Sequence, residues 1–174
     1  AGFMSGMFGI GGGSVRIPLL NLVGLPLLSA FGINLLVVPF SSSVGALSQR
    51  KNIDRKIAIY VIIGGILGSI TGAFSVGFIP TLVLAIIFVA TAFVTAFGMY
   101  LDRITPRIYQ KIDPSQKNIL TFSFLLSFIT GMRGGSGGSL FPPFLKAMKL
   151  NVHEAIATSL FVTIFTAIVA VIIF

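Results

Sequence analysis

Two arginines beside runs of glycine are the residues best placed to do chemistry. Residues 6–18 read GMFGIGGGSVRIP, with Arg16 just past the glycines; residues 131–143 read GMRGGSGGSLFPP, with Arg133 inside the run. Both runs interrupt apolar sequence. Glycine allows backbone dihedrals that break a helix. At membrane depth a broken backbone survives only where it lines a cavity or is packed in protein. Residues 14–23 and 139–148 can each restart a short helix. Ser14 and Ser139 are natural N-caps for these helices. Pro18 and Pro143 fall near the first turn, where proline costs little. Each restarted helix points N–H groups and a positive dipole end at the break, which suits an anion. No acid lies near either arginine. A guanidinium grips a sulfonate or carboxylate through paired hydrogen bonds. The competing reading is that one or both arginines snorkel to an interface or bond backbone carbonyls. The candidate anion-binding residues are therefore Gly11, Gly12, Gly13, Ser14 and Arg16 at the first break. At the second they are Arg133, Gly137, Gly138 and Ser139.

The surrounding chain must hold these residues inside a bilayer. It has 174 residues, 55% hydrophobic and only 9% charged, with a mean hydropathy of +1.04. A soluble domain carries about 25% charged residues, so the fold class expected is an all-α polytopic membrane protein. Six apolar segments can be drawn, at about residues 1–23, 30–48, 57–77, 81–101, 119–148 and 155–174, the first and fifth interrupted by glycines. About 20 apolar residues span a bilayer as a helix. Arg50, Lys51, Arg55, Lys56, Arg103, Arg107, Lys111 and Lys117 fall in loops on one side, against Lys146 and Lys149 on the other. That bias makes loops 49–56 and 101–118, and the N-terminus, cytoplasmic. In the third segment Gly64, Gly68 and Gly72 are spaced by four, a groove for a close helix neighbour.

The two glycine stretches are copies. At an offset of 125, Gly6, Met7, Gly9, Gly12, Gly13, Ser14 and Pro18 match Gly131, Met132, Gly134, Gly137, Gly138, Ser139 and Pro143. The register continues through Leu20/Leu145, Leu25/Leu150, Ala30/Ala155 and Leu35/Leu160. Four spans separate the copies, so both cross in the same direction, a parallel repeat. The expected division is a four-span first repeat, residues 1–118, and a truncated second repeat, residues 119–174. The complete duplication predicts about eight spans. The arginines are not repeat equivalents, since Arg16 matches Phe141 and Arg133 matches Phe8. Asn34 matches Ser159, beside Thr158; both positions are candidates to line the pathway or to bond between helices. Ser41, Ser42, Ser43, Thr91 and Thr95 read the same way. His153 and Glu154 suggest an exposed loop pair, with proton coupling as the sharper alternative.

Other classes find little support. There is no cysteine, one histidine and four acids, too few for a metal site or a hydrolase, and no cofactor is expected. The GIGGGS run lacks the βαβ context and the following acid of a dinucleotide loop. The net charge of +8 sits in loops, without the aromatic interleaving of a nucleic-acid surface.

The duplicated glycine–serine–proline pattern, with Asn52, Ile53 and Asp54 after the basic loop, resembles the TauE/SafE family of sulfite exporters over nearly all of the chain. The second copy departs from the family pattern, with Gly135 and Ser136 in place of the Ile-Gly pair. The resemblance implies a plasma-membrane permease that moves small anions (sulfite, sulfonates or related organic acids) by alternating access. The alternatives are a passive anion channel and a non-transporting scaffold. Proton coupling stays open, because no acid falls inside a span.

Overall fold

The computed structural model describes residues 12–98, 115–132 and 138–173. Seven α-helices are described: α1 (Gly12–Leu22), α2 (Leu27–Ser48), α3 (Arg55–Ser75), α4 (Thr81–Gly98), α5 (Gln116–Met132), α6 (Phe141–Ala147) and α7 (Val152–Ile173). Short 3-10 turns follow α2 at Arg50–Asn52 and α3 at Val76–Phe78, and there is no strand among the described residues. The six apolar segments thus resolve into unequal elements. Among the described residues, three helices are long and apolar enough to cross a bilayer: α2, α7, and α3 with its trailing turn to Phe78. Helices α4 and α5 are shorter, at 18 and 17 residues. The first and fifth segments contain the half-helices α1 and α6, of 11 and 7 residues.

The helix faces are inverted relative to a soluble bundle. In α3 the exposed stripe is Ile59, Ile63, Leu67 and Phe74, whereas the buried face holds Gly64, Gly65, Gly68, Ser69 and Gly72. In α7, Phe165, Ile168 and Ile172 point outward, and Thr158, Ser159, Thr163 and Thr166 are buried. Lipid is as apolar as leucine, so association rests on close packing and polar contacts between small residues. The glycine stripe does this as expected. A Cβ at Gly64 would sit 2.5 Å from the carbonyl oxygen of Leu120, and at Gly68 and Gly72 it would overlap the carbonyls of Phe124 and Phe128. Backbone of α3 therefore lies directly on backbone of α5 over two turns.

The offset of 125 is carried by the backbone. Helices α2 and α7 are both 22 residues long and begin and end 125 apart. Each is preceded by the same helix stop, a Schellman turn. After α1, Gly24 takes φ +97°, its N–H bonds Asn21 O at 3.0 Å, and Leu25 N–H bonds Leu20 O at 3.2 Å. After α6, Lys149 takes φ +71°, with Lys149 to Lys146 at 3.0 Å and Leu150 to Leu145 at 3.3 Å. Lys149 is the only non-glycine residue with positive φ among the described residues.

Acids serve as helix starters. Asp54 caps α3, its Oδ1 accepting from Lys56 N (3.0 Å) and Ile57 N (3.1 Å), while its own N–H donates to Thr158 Oγ1 on α7 (2.9 Å). Glu154 closes a capping box with Asn151: Asn151 N–H donates to Glu154 Oε2 (3.2 Å) and Glu154 N–H to Asn151 Oδ1 (2.9 Å). The loop pair His153–Glu154 is thus the first turn of α7.

Candidate functional site

Gly12 and Gly13, the last glycines of the run, lie within helix α1. Ser14 is therefore its third residue and not its N-cap, because a capping residue must lie outside helical dihedrals. Pro18 is the seventh residue, past the first turn where it was expected. Lacking an N–H, it donates nothing to the carbonyl of Ser14 one turn back. Arg16, on this turn, reaches α2: its Nη1 donates to Asn34 Oδ1 at 2.9 Å. Asn34 is 2% exposed, in the middle of a span. Gly13 lies against the same amide, where a Cβ would fall 2.8 Å from Nδ2 and 3.1 Å from Oδ1. The structure thus brings Gly13, Arg16 and Asn34 together. Among the described residues, the Arg16 guanidinium bonds this side chain.

The electrostatics follow from the partner being an amide. Asn34 fixes the guanidinium through one of its five N–H donors and leaves its charge in place. The two acids among the described residues, Asp54 and Glu154, are used at helix starts.

At the second break α5 ends at Met132, Gly138–Leu140 form a turn, and α6 starts at Phe141. The residue in the N-cap position is Leu140, without a side-chain cap bond, so Ser139 does not cap α6. The reason is again register, since the helix starts two residues later than the serine. Pro143 is the third residue of α6, in the first turn as expected. Gly138 lies against α7, where a Cβ would come within 2.9 Å of Thr163 Oγ1. Gly13 and Gly138 are repeat equivalents, but their polar neighbours are one turn apart in the repeat: Asn34 on α2 and Thr163 on α7. Ser159, the equivalent of Asn34, is buried and donates to its own helix at Ile156 O (2.8 Å). Gly11, Arg133 and Gly137 lie outside the described residues.

The remaining polar candidates are mostly absorbed by their own helices. Ser41 and Ser43 donate to Val38 O and Pro39 O, and Thr91 and Thr95 to Ile87 O and Thr91 O. These are local bonds, each to a carbonyl three or four residues back on the same helix. Thr163 was missed in the sequence, as were Ser69 and Ser127. A signal existed: Ser123, Ser127 and Thr130 in α5, and Ser159, Thr163 and Thr166 in α7, share the spacing i, i+4, i+7 that places them on one helix face.

Comparison with known proteins adds a family. The family described as "Sulfite exporter TauE/SafE" matches residues 1–174. Among curated proteins, the chain is similar to "Probable membrane transporter protein YdhB" of Bacillus subtilis (strain 168). The two are 26% identical over 171 residues, covering 94% of this chain and 70% of the relative. No solved structure matches.

Proposed function

Because this chain belongs to the TauE/SafE family of membrane transporters, we propose that it carries small anions across the bilayer by alternating access. Sulfite, sulfonates and related organic acids are the substrate class. The observation that carries this reading is Arg16 held by Asn34 (2.9 Å) beside Gly13 at the start of a half-helix. The neutral partner orients the cation without cancelling it. N–H groups at the start of α1 add a second source of positive potential. A small oxyanion meets a charge that no carboxylate among the described residues occupies. Arg133 and the glycines of the second break supply the other half of the pathway in this reading. Helices α1 and α6 move against the longer helices to open it alternately. Residues 1–118 and 119–174 are the two repeats, in the plasma membrane with the basic loops cytoplasmic.

The test is flux of labelled sulfite and a sulfonate in proteoliposomes holding the full-length protein. Arg16→Gln is expected to raise the apparent KM about tenfold or more, the loss of one charge-assisted contact. An unchanged KM in Arg16→Gln refutes the role of Arg16. Accumulation against a gradient when a proton gradient is imposed marks a coupled transporter; downhill flux alone marks a channel. Absence of flux for every anion leaves the scaffold reading.

A further inference from the structure

Serine and threonine in a helix ordinarily return their hydroxyl hydrogen to a carbonyl three or four residues back. Ser123, Thr130, Ser159 and Thr166 do so, donating to Ile119, Leu126, Ile156 and Val162. Ser69, Ser127 and Thr163 do not. Their oxygens are buried without a hydrogen-bond partner among the described residues, and the side chains are 0%, 0% and 2% exposed. They stand on α3, α5 and α7, which meet around Gly65. A Cβ at Gly65 would lie 3.3 Å from Ser127 Oγ, 2.8 Å from Thr166 Cγ2 and 3.5 Å from the Phe141 ring. Thr163 is one turn before Thr166 and touches Gly138. Ser69 is one turn beyond Gly65, and its carbonyl faces Gly131 on α5.

An unmade hydrogen bond is costly where no water competes, and three in one region of a native protein ask for a partner. Hydroxyl oxygens accept as well as donate, so the sign of that partner must be argued. A cation would need a countercharge, and both described acids are committed to helix starts. The charge on Arg16 and the excess of basic residues favour an anion. We infer that Ser69, Ser127 and Thr163 form a second anion subsite, a set of O–H donors at the α3–α5–α7 junction that takes a small, partly dehydrated oxyanion beside the second break. This rests on the anion-transport reading above and assigns that reading a site apart from Arg16.

The experiment compares wild type with Ser127→Ala, Thr163→Val and the pair, using the full-length protein in detergent. Thermal unfolding is followed against potassium sulfite, sulfate and acetate, with potassium and sodium chloride as references. The expected result is stabilisation of wild type by at least one oxyanion, with half-saturation raised tenfold or more in the double variant. Ser123→Ala and Thr130→Val, which remove partnered hydroxyls, leave it unchanged. Thr163→Ser, which keeps the hydroxyl, restores binding and controls for misfolding. Equal half-saturation in variant and wild type overturns the subsite. So does stabilisation by sodium chloride alone, which marks a cation site, or the lack of any oxyanion effect on wild type. Liposome flux separates the two readings. Wild-type flux with unchanged KM in the double variant removes the subsite and leaves anion transport standing. A lost thermal shift with no wild-type flux keeps the subsite and removes transport.

Discussion

The paired Schellman turns predict unequal effects at equivalent positions. Gly24 and Lys149 hold the same left-handed conformation, φ +97° and +71°. Nothing lies within 4 Å of a Cβ at Gly24, so steric contact drops out and only backbone strain remains. A side chain in the left-handed region costs about 1–2 kcal/mol. Replacing glycine also stiffens the unfolded chain, which returns about 0.4–1 kcal/mol. Gly24→Ala should therefore destabilise by about 0.5–1 kcal/mol. Lys149→Gly reverses both backbone terms, a gain of similar size from which the loss of the lysine's own side-chain contact is subtracted, so Lys149→Gly should lie above Gly24→Ala in stability relative to its parent residue. At about 2–4 °C per kcal/mol for a protein of this size, the Gly24→Ala midpoint falls about 1–4 °C, and the Lys149→Gly midpoint falls less or rises. The chain has no tryptophan, so the assay is far-ultraviolet circular dichroism in detergent at one fixed scan rate, which also controls for irreversibility. No change for Gly24→Ala, or a larger fall for Lys149→Gly than for Gly24→Ala, would refute the reasoning.

Three further outcomes follow from the packing and caps. Gly68→Ala should lower stability by about 1–3 kcal/mol, the usual cost of overpacking, because its methyl overlaps the Phe124 carbonyl; a midpoint at or above wild type contradicts the α3–α5 contact. Asp54→Ala removes the α3 cap and should cost about 1 kcal/mol. Thermal unfolding of Asp54→Ala against Asp54→Asn, which keeps an acceptor, checks it. Glu154→Ala and Asn151→Ala should each cost about 0.5–1 kcal/mol but less than additively together, since they open the same capping box; strict additivity in the double variant disproves the box.

Much of this architecture is legible in the residues because it depends on backbone. A glycine run that ends a helix, a repeat held in register for 30 residues and a four-spaced glycine groove constrain the chain locally. The described residues show the last two of these: the matched turns at 24 and 149 and the α3–α5 contact. What failed was register. Ser14 and Ser139 looked like caps because the helix was assumed to restart after the last glycine, but α1 takes Gly12 into its first turn and α6 waits until Phe141. Two residues decide whether a serine is a cap, and composition does not resolve two residues. The hydroxyls show a second limit. Ser123 and Ser127 sit one turn apart on the same face, yet one bonds its own helix and the other does not.

Asn34 offers the sharpest discrimination between an arginine that binds substrate and one that holds helices together. Asn34→Asp changes no volume and keeps an acceptor on Arg16 Nη1, now as a carboxylate. If the contact is only a brace between α1 and α2, a charge-assisted bond strengthens it, and transport stays the same or improves. If Arg16 holds the anion, the new carboxylate occupies the guanidinium and repels the substrate behind it. For unit charges about 6 Å apart at an effective dielectric of about 20, that repulsion is about 3 kcal/mol, roughly a hundredfold in affinity. The apparent KM for the anion should then rise by one to two decades. An unchanged KM in folded Asn34→Asp would return Arg16 to architecture and leave the α3–α5–α7 junction, with its three unpartnered hydroxyls, as the place to look for the substrate.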